Sequence, residues 1–316
     1  MEKHSSDEIF NKTFGFVFLK MLIPIASLVV SLIAMAIITA VGGHSFGIIK
    51  AIIWLVITVV AYFAINLFVG YKYKAGHVAV VTDSVSFDIP EDMYNMAKES
   101  VAYRFPSCNE FAAYERQMNG VVAQLQKHLN TFPERHMRKP VVSQLLQVLQ
   151  VFIGMALSFV SDLCLGYTFW RDGKPLYTSA ADGAAIYYMS WRRIVQNAIL
   201  LAIQIIVGMV VLFAFVFCIL APILTANFGS VLAGGLGAVA FSFFVCKAVK
   251  CYINSKLMIT TMIPFFEEAQ YAELNEDDYA AACQASPKFR ELYRKAVDEA
   301  ARAAVQENES AAYPRA

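Results

Sequence analysis

Charge is scarce in this chain. Only 16% of its 316 residues are Asp, Glu, Lys or Arg, against about 25% in soluble domains. The formal net charge is +1, and no long basic block or basic–aromatic interleaving occurs, so a nucleic-acid partner is excluded. Six cysteines (Cys108, Cys164, Cys218, Cys246, Cys251 and Cys283) are scattered without a C-x-x-C. They read as reduced thiols, inside helices or on the cytoplasmic side. Five histidines form no H-E-x-x-H, and His128 and His136 flank Pro133 at poor ligand spacing, so no metal site is expected. G-x-S-x-G, Walker and G-x-G-x-x-G motifs are missing. Gly234-Gly235-x-Gly237 lies inside an apolar run, where helix packing explains it better than phosphate binding. The acid pairs Glu267-Glu268 and Asp277-Asp278 follow the last apolar run and read as solvated surface. The sequence therefore predicts a non-enzymatic protein without cofactor or metal.

What the chain has in abundance is apolar length. Hydrophobic residues make up 58% of it, and the mean hydropathy is +0.52. Four runs, 14–41, 46–70, 198–224 and 228–249, are almost purely apolar. A bilayer core of about 30 Å needs roughly 20 such residues per helix. The first run is too long for a signal-peptide core and no small-residue cleavage site follows it, so it reads as an uncleaved span. The expected fold is all-α: a polytopic α-helical membrane protein of two transmembrane hairpins, an amphipathic or re-entrant helical segment and cytoplasmic helices.

Charge placement orients it. The loops 42–45 and 225–227 carry no Lys or Arg. Segment 71–140 holds Lys72, Lys74, Lys98, Arg104, Arg116, Lys127, Arg135, Arg138 and Lys139, and Arg192, Arg193, Lys247, Lys250 and Lys256 flank the second hairpin. The positive-inside rule then puts both termini in the cytoplasm of a multi-pass cell-membrane protein. Five regions follow: a first hairpin at 1–70, a cytoplasmic helical region at 71–140, membrane-associated or re-entrant helices at 141–197, a second hairpin at 198–256 and a cytoplasmic helical tail at 257–316.

The segment 141–168 is apolar but striped. Ser143, Gln147, Gln150, Gly154, Ser158, Ser161, Asp162 and Leu165 recur mostly at steps of three and four, and all but the last are polar or small. One reading is a helix lying in the membrane interface or against the bundle. The other is a helix lining a watered path, with Gln147, Gln150, Ser158, Ser161 and Asp162 along it. Asp162 is the sole carboxylate in an apolar stretch and sits close to Trp170 and Arg171, so headgroup-level pairing and a proton or solute role both stay open.

Elsewhere the signals are local. Pro90-Glu91-Asp92-Met93 predicts a helix start, Pro106–Asn109 a break, and 111–129 a second helix. Ser286 and Pro287 predict another start, with a helix to about Val305 and a disordered tail at 306–316. Ser230, Gly234 and Ala238, spaced at four, form a small-residue face for another helix, within the chain or in a homo-oligomer. Lys20 and Lys50, near run ends, read as snorkelling to headgroups. Ser179 is a cap for a short in-plane helix. Its residues Tyr187, Tyr188 and Trp191 suit the membrane interface, and Arg192 and Arg193 suit anionic headgroups.

The most specific stretch is 162–197, DLCLGYTFWRDGKPLYTSAADGAAIYYMSWRRIVQN. Tyr167, Gly173, Ser179, Ala180 and Asp182 resemble the C-terminal part of choline-transporter-like proteins, with Gly183 where that family has a small Ala. Ser242-Phe243-Phe244 leading to Phe265-Phe266-Glu267-Glu268 is similar too. The likeness covers about 130 residues, and the chain lacks that family's larger set of helices. Through LGYTF and SAADG it also resembles an uncharacterised bacterial family of small polytopic membrane proteins. Neither resemblance implies a substrate or a binding residue here.

Two functions are therefore carried forward. The first is a transporter- or channel-like protein of unknown substrate, supported by the striped segment and Asp162. The second is a membrane scaffold or accessory subunit that assembles through its helices and holds a cytoplasmic protein partner, supported by the paucity of intramembrane polar groups. The bilayer is the partner common to both.

Overall fold

The computed structural model describes residues 4–42, 48–129 and 159–312, and within these it is helical, with no strand. The helices are α1 (Ser6–Lys12), α2 (Phe14–Gly42), α3 (Ile48–Ile65), α4 (Tyr71–Ser86), α5 (Met93–Arg104) and α6 (Cys108–Leu129), then α7 (Val160–Trp170), α8 (Leu176–Phe228), α9 (Val231–Tyr271), α10 (Glu276–Ala285) and α11 (Pro287–Ala312). A wide π-type turn at Asn66–Gly70 joins α3 to α4 without breaking the rod. Among the described residues, four helical stretches are long and apolar enough to cross a membrane: Phe14–Val41, Ile49–Ser86, Val207–Ala226 and Val231–Tyr271.

These spans outrun the apolar runs that define them. The second apolar run stops at Gly70 but its helix continues to Ser86. The fourth stops near Val249 but its helix continues to Tyr271. Hydropathy marks where lipid ends, whereas a helix ends only at a breaker or a cap. The same reason makes α8 one helix of 53 residues and places Ser179 inside it rather than at its cap. The second hairpin turns later than residues 225–227. α8 runs to Phe228, Gly229 takes a left-handed φ of 64°, and its N–H donates to Thr225 O at 3.0 Å. A residue with a Cβ is strained there, which is why the chain turns at glycine. Of the tail expected to be disordered, 306–312 continue α11 to Ala312, and 313–316 lie outside the described residues.

Two compact units divide the chain. The first comprises residues 1–11, 78–203 and 257–316, and the second 12–77 and 204–256. In the first unit the helix starts follow their local signals. Asp92 caps α5 by accepting from Asn95 N at 3.2 Å. Ser286 Oγ accepts from Phe289 N at 3.0 Å, ahead of Pro287. Asn275 and Asp278 form a reciprocal capping box on α10. α6 packs against α7, α10 and α11, and its buried face of Phe111, Tyr114, Met118, Val121 and Leu125 recurs at helical spacing. Phe105, Tyr167, Tyr187, Phe265 and Phe289 complete this core.

The second unit is held differently. Its exposed side chains are largely apolar, and close fit with shared hydrogen bonds joins its helices. Ser31 and Thr58 hydroxyls meet at 2.8 Å across α2 and α3. Trp54, fully buried, donates its Nε1–H to Ser31 O at 2.8 Å. Ala51, Trp54, Ala233 and Ala240 form the buried cluster.

Candidate functional site

The two sequence elements that look most specific, LGYTF and SAADG, meet in the first unit. α7 ends at Trp170, residues 171–175 turn, and α8 returns beside it. A Cβ on Gly183 would lie 3.1 Å from Tyr167 Cβ, so glycine there lets the two helices close up. Buried Asp182 is the polar centre of this elbow. Its Oδ2 pairs with Lys174 Nζ at 3.0 Å, and its Oδ1 accepts from the Tyr279 hydroxyl at 2.6 Å. A buried carboxylate needs such satisfaction, and Asp182 draws it from its own turn and from α10.

Three more polar groups clasp the same elbow. Arg104, closing α5, donates to Lys174 O at 2.8 Å and Arg171 O at 2.5 Å. Glu299 of α11 accepts from Tyr177 N at 2.7 Å and Thr178 N at 3.4 Å, so a carboxylate over 120 residues away in sequence caps the start of α8. That position suits an anion, because orphan N–H groups and the positive end of the helix dipole converge there. Glu268, near the end of α9, holds Arg193 at 2.6 Å and Ser190 at 3.4 Å.

Burial sets the electrostatics. The Tyr279 hydroxyl is pushed far above the usual tyrosine range, first by burial and then by the Asp182 carboxylate it donates to. It therefore stays a donor. Cys164 is pushed up to about 12, by burial first and by Asp162 second, so it stays a thiol. Tyr187 and Tyr114 are likewise raised, chiefly by burial. Among these groups none is poised to exchange a proton near neutral pH.

The predicted site residues scatter. Ser161 is buried, and Asp162 occupies the first turn of α7, partly exposed. The described part of the segment, α7, has 11 residues and is about 16 Å long. Gln147, Gln150 and Ser158, like most of 141–168, lie outside the described residues. Tyr187 is 0% exposed and packs in the protein interior, beside buried Gln126, rather than at headgroup level. Its neighbour Tyr188 is half-buried against His128, and Trp191 is half-buried. Arg193 is exposed and paired with Glu268, while the Arg192 side chain lies outside the described residues. On α9, Ser230 accepts from Ala233 N at 3.4 Å and so starts the helix. A Cβ on Gly234 would meet the Thr225 backbone at 2.5 Å, and Ala238 is fully buried. Of the three small residues, Gly234 is the one that meets α8, at Thr225.

One polar group in the second unit escaped sequence reasoning. Lys20 does not merely snorkel: its Nζ lies 2.7 Å from His77 Nδ1. An ammonium only donates, so Nδ1 accepts and the ring proton sits on Nε2, facing Thr13 Oγ1 at 3.2 Å. Phe16 stacks on the fully buried imidazole at 5.8 Å. The pairing joins residues 57 apart and leaves no local pattern.

Two surface clefts flank the clasp. One, of about 630 Å³, is lined by Tyr177, Lys295, Glu299 and Arg302. The other, of about 230 Å³, is lined by Met189, Glu268, Glu273 and Asp278. Among the described residues no group of three His, Cys, Asp or Glu side chains could hold a metal ion. No family model, curated protein or solved structure matches the chain.

Proposed function

We propose that this chain is a membrane-embedded assembly subunit. Its spans associate with further transmembrane helices, and its acidic helical unit is displayed in the cytoplasm. The observation that carries this reading is the bare girth of α8. Across Val207–Ala226, 20 residues with a mean hydropathy of 2.9, not one residue is buried. The neutral loops and basic flanks of the spans support the cytoplasmic orientation. The interlocked charges around Asp182 support a first unit built for rigidity rather than turnover. The test is the mass of the full chain in lipid nanodiscs, with oxidative cross-linking through Cys218, which is exposed on this helix. A dimer or larger species that cross-links in wild type but not in Cys218→Ser is the expected result. A monomer at every lipid-to-protein ratio overturns it.

The Lys20–His77 contact favours a second, transporter-like reading. Ionisable groups inside spans are costly and mark transport paths by default. A solute or ion flux in liposomes that depends on this chain would promote that reading over assembly.

A further inference from the structure

The second unit is starved of negative charge. Its residues, 12–77 and 204–256, include eight lysines (Lys12, Lys20, Lys50, Lys72, Lys74, Lys247, Lys250 and Lys256) and no Asp, Glu or Arg. The unit's own sequence therefore offers Lys247 and Lys250 no carboxylate. Lys247 and Lys250 lie three residues apart on α9, close enough to act on each other electrostatically. Like charges gathered at the edge of a low-dielectric slab cost free energy unless an anion sits among them.

An apolar groove leads to this cluster. α3 and α9 leave a furrow of about 290 Å³ between Leu55, Tyr62 and Phe63 on one wall and Leu236, Val239 and Phe243 on the other. Both helices are candidate spans. The furrow ends at Phe243, and Lys247 Nζ stands over that ring, 5.2 Å from its centroid. Along α9 from Val231, Lys247 and Lys250 come roughly 24 and 29 Å on. That is about one hydrocarbon thickness, so they reach the opposite headgroup layer. Apolar walls, then an aromatic ring, then two ammonium groups follow the order of an acyl chain, its glycerol region and its phosphate.

We propose that the α3–α9 groove binds one acyl chain of an anionic phospholipid, with its phosphate held by Lys247 and Lys250. Charge complementarity selects the headgroup and the groove selects the chain. A zwitterionic lipid would fill the furrow but carry a net neutral head to two cations.

Native mass spectrometry of the full chain, delipidated and exposed to equal phosphatidylglycerol and phosphatidylcholine, tests this. The expected preference for phosphatidylglycerol is roughly 30-fold, the factor two near-surface lysines supply. Lys247→Gln with Lys250→Gln should bring it to within about twofold. Val239 is 45% exposed, so Val239→Trp should fill the groove from outside and reduce retention of both lipids without unfolding the chain. Circular dichroism and thermal unfolding of each variant report whether it is folded. Glycerol phosphate, a soluble headgroup without a chain, should not compete at concentrations where the lipid does. Equal retention of both lipids by the wild type overturns the proposal, as does a preference that survives the double lysine change. So does a Val239→Trp variant that loses a dimer but keeps its lipid, since the groove would then belong to a second copy of the chain.

Discussion

The Tyr279 hydroxyl donates to Asp182 Oδ1 at 2.6 Å, joining residues 97 apart and tying α10 to the start of α8. The carboxylate is only 6% exposed, so this bond works in a medium that strengthens it. Stacking of Tyr279 on Tyr293 at 4.8 Å fixes the donor ring. Tyr279→Phe keeps the stack and removes only the donor. Lys174 still serves Asp182, so the cost should be about 1.5–3 kcal/mol, the range for a hydrogen bond to a charged group. Chemical unfolding of the two forms measures it, and equal midpoints would refute the assignment.

The same bond predicts an alkaline limb. The folded chain holds the Tyr279 proton more tightly than the unfolded chain, whose tyrosines titrate near 10. A raised folded pKa gives stability that is fully present below the unfolded value and lost as pH rises past it. Wild type should therefore lose stability above about pH 10, and Tyr279→Phe should lose less over that interval. Parallel pH curves for both forms would contradict this.

Glu299 supplies a separate test. Its carboxylate accepts from the N–H groups of Tyr177 and Thr178, which no residue inside α8 can satisfy. Glu299→Ala should cost about 1 kcal/mol, as for a lost N-cap. Amide exchange should quicken at 177 and 178 first. An unchanged exchange rate there would mean water caps the helix equally well.

Much of the fold was legible because two signals are strong and local. Apolar length alone marks the four candidate spans among the described residues, and Asp92, Ser286 and Pro287 mark helix starts by side-chain chemistry within one turn. The remainder was hidden for physical reasons. Nothing in hydropathy says that α3–α4 and α9 continue as helices beyond their apolar runs, because polar residues such as Lys72 and Glu267 keep helical backbone without adding apolar signal. Tyr187 carries an aromatic ring and a hydroxyl, which suit an interface and a core equally until the tertiary neighbours are known. Asp182 stood in a motif singled out by its resemblance, yet its partners, Lys174 and Tyr279, could be found only in the folded chain. Asp162 drew attention because it lies in an apolar stretch, and most of that stretch lies outside the described residues.

Gly234 tests the hairpin. Any side chain there meets the Thr225 backbone, which cannot rotate away as a side-chain tip would. Gly234→Leu should open the α8–α9 turn and lower thermal stability in detergent by several degrees, in line with overpacking costs of about 1–3 kcal/mol. Gly235→Ala, whose added Cβ meets nothing within 4 Å, is the control that should hold or raise stability, since Ala is the better helix former. Equal effects from both would mean that helix propensity, not packing, sets the outcome.

The Lys20–His77 pair separates the transport reading from the assembly reading. The imidazole is fully buried and accepts from an ammonium at 2.7 Å. Removing one partner of such a pair strands a costly group, whereas replacing both by apolar residues of similar size costs little. If the pair is structural, His77→Leu and Lys20→Met should each destabilise the chain. The double variant should recover most of that loss, giving a coupling energy of about 0.5–3 kcal/mol. It should also leave nanodisc mass and any liposome flux as in wild type. If the pair lies on a conduction path, the stable double variant should abolish a flux that wild type supports. The expected outcome is recovery of stability with no change in flux, because Thr13 and Phe16 hold the ring on its other sides as packing would require. A wild-type flux that vanishes in a well-folded double variant would reverse the order of the two readings.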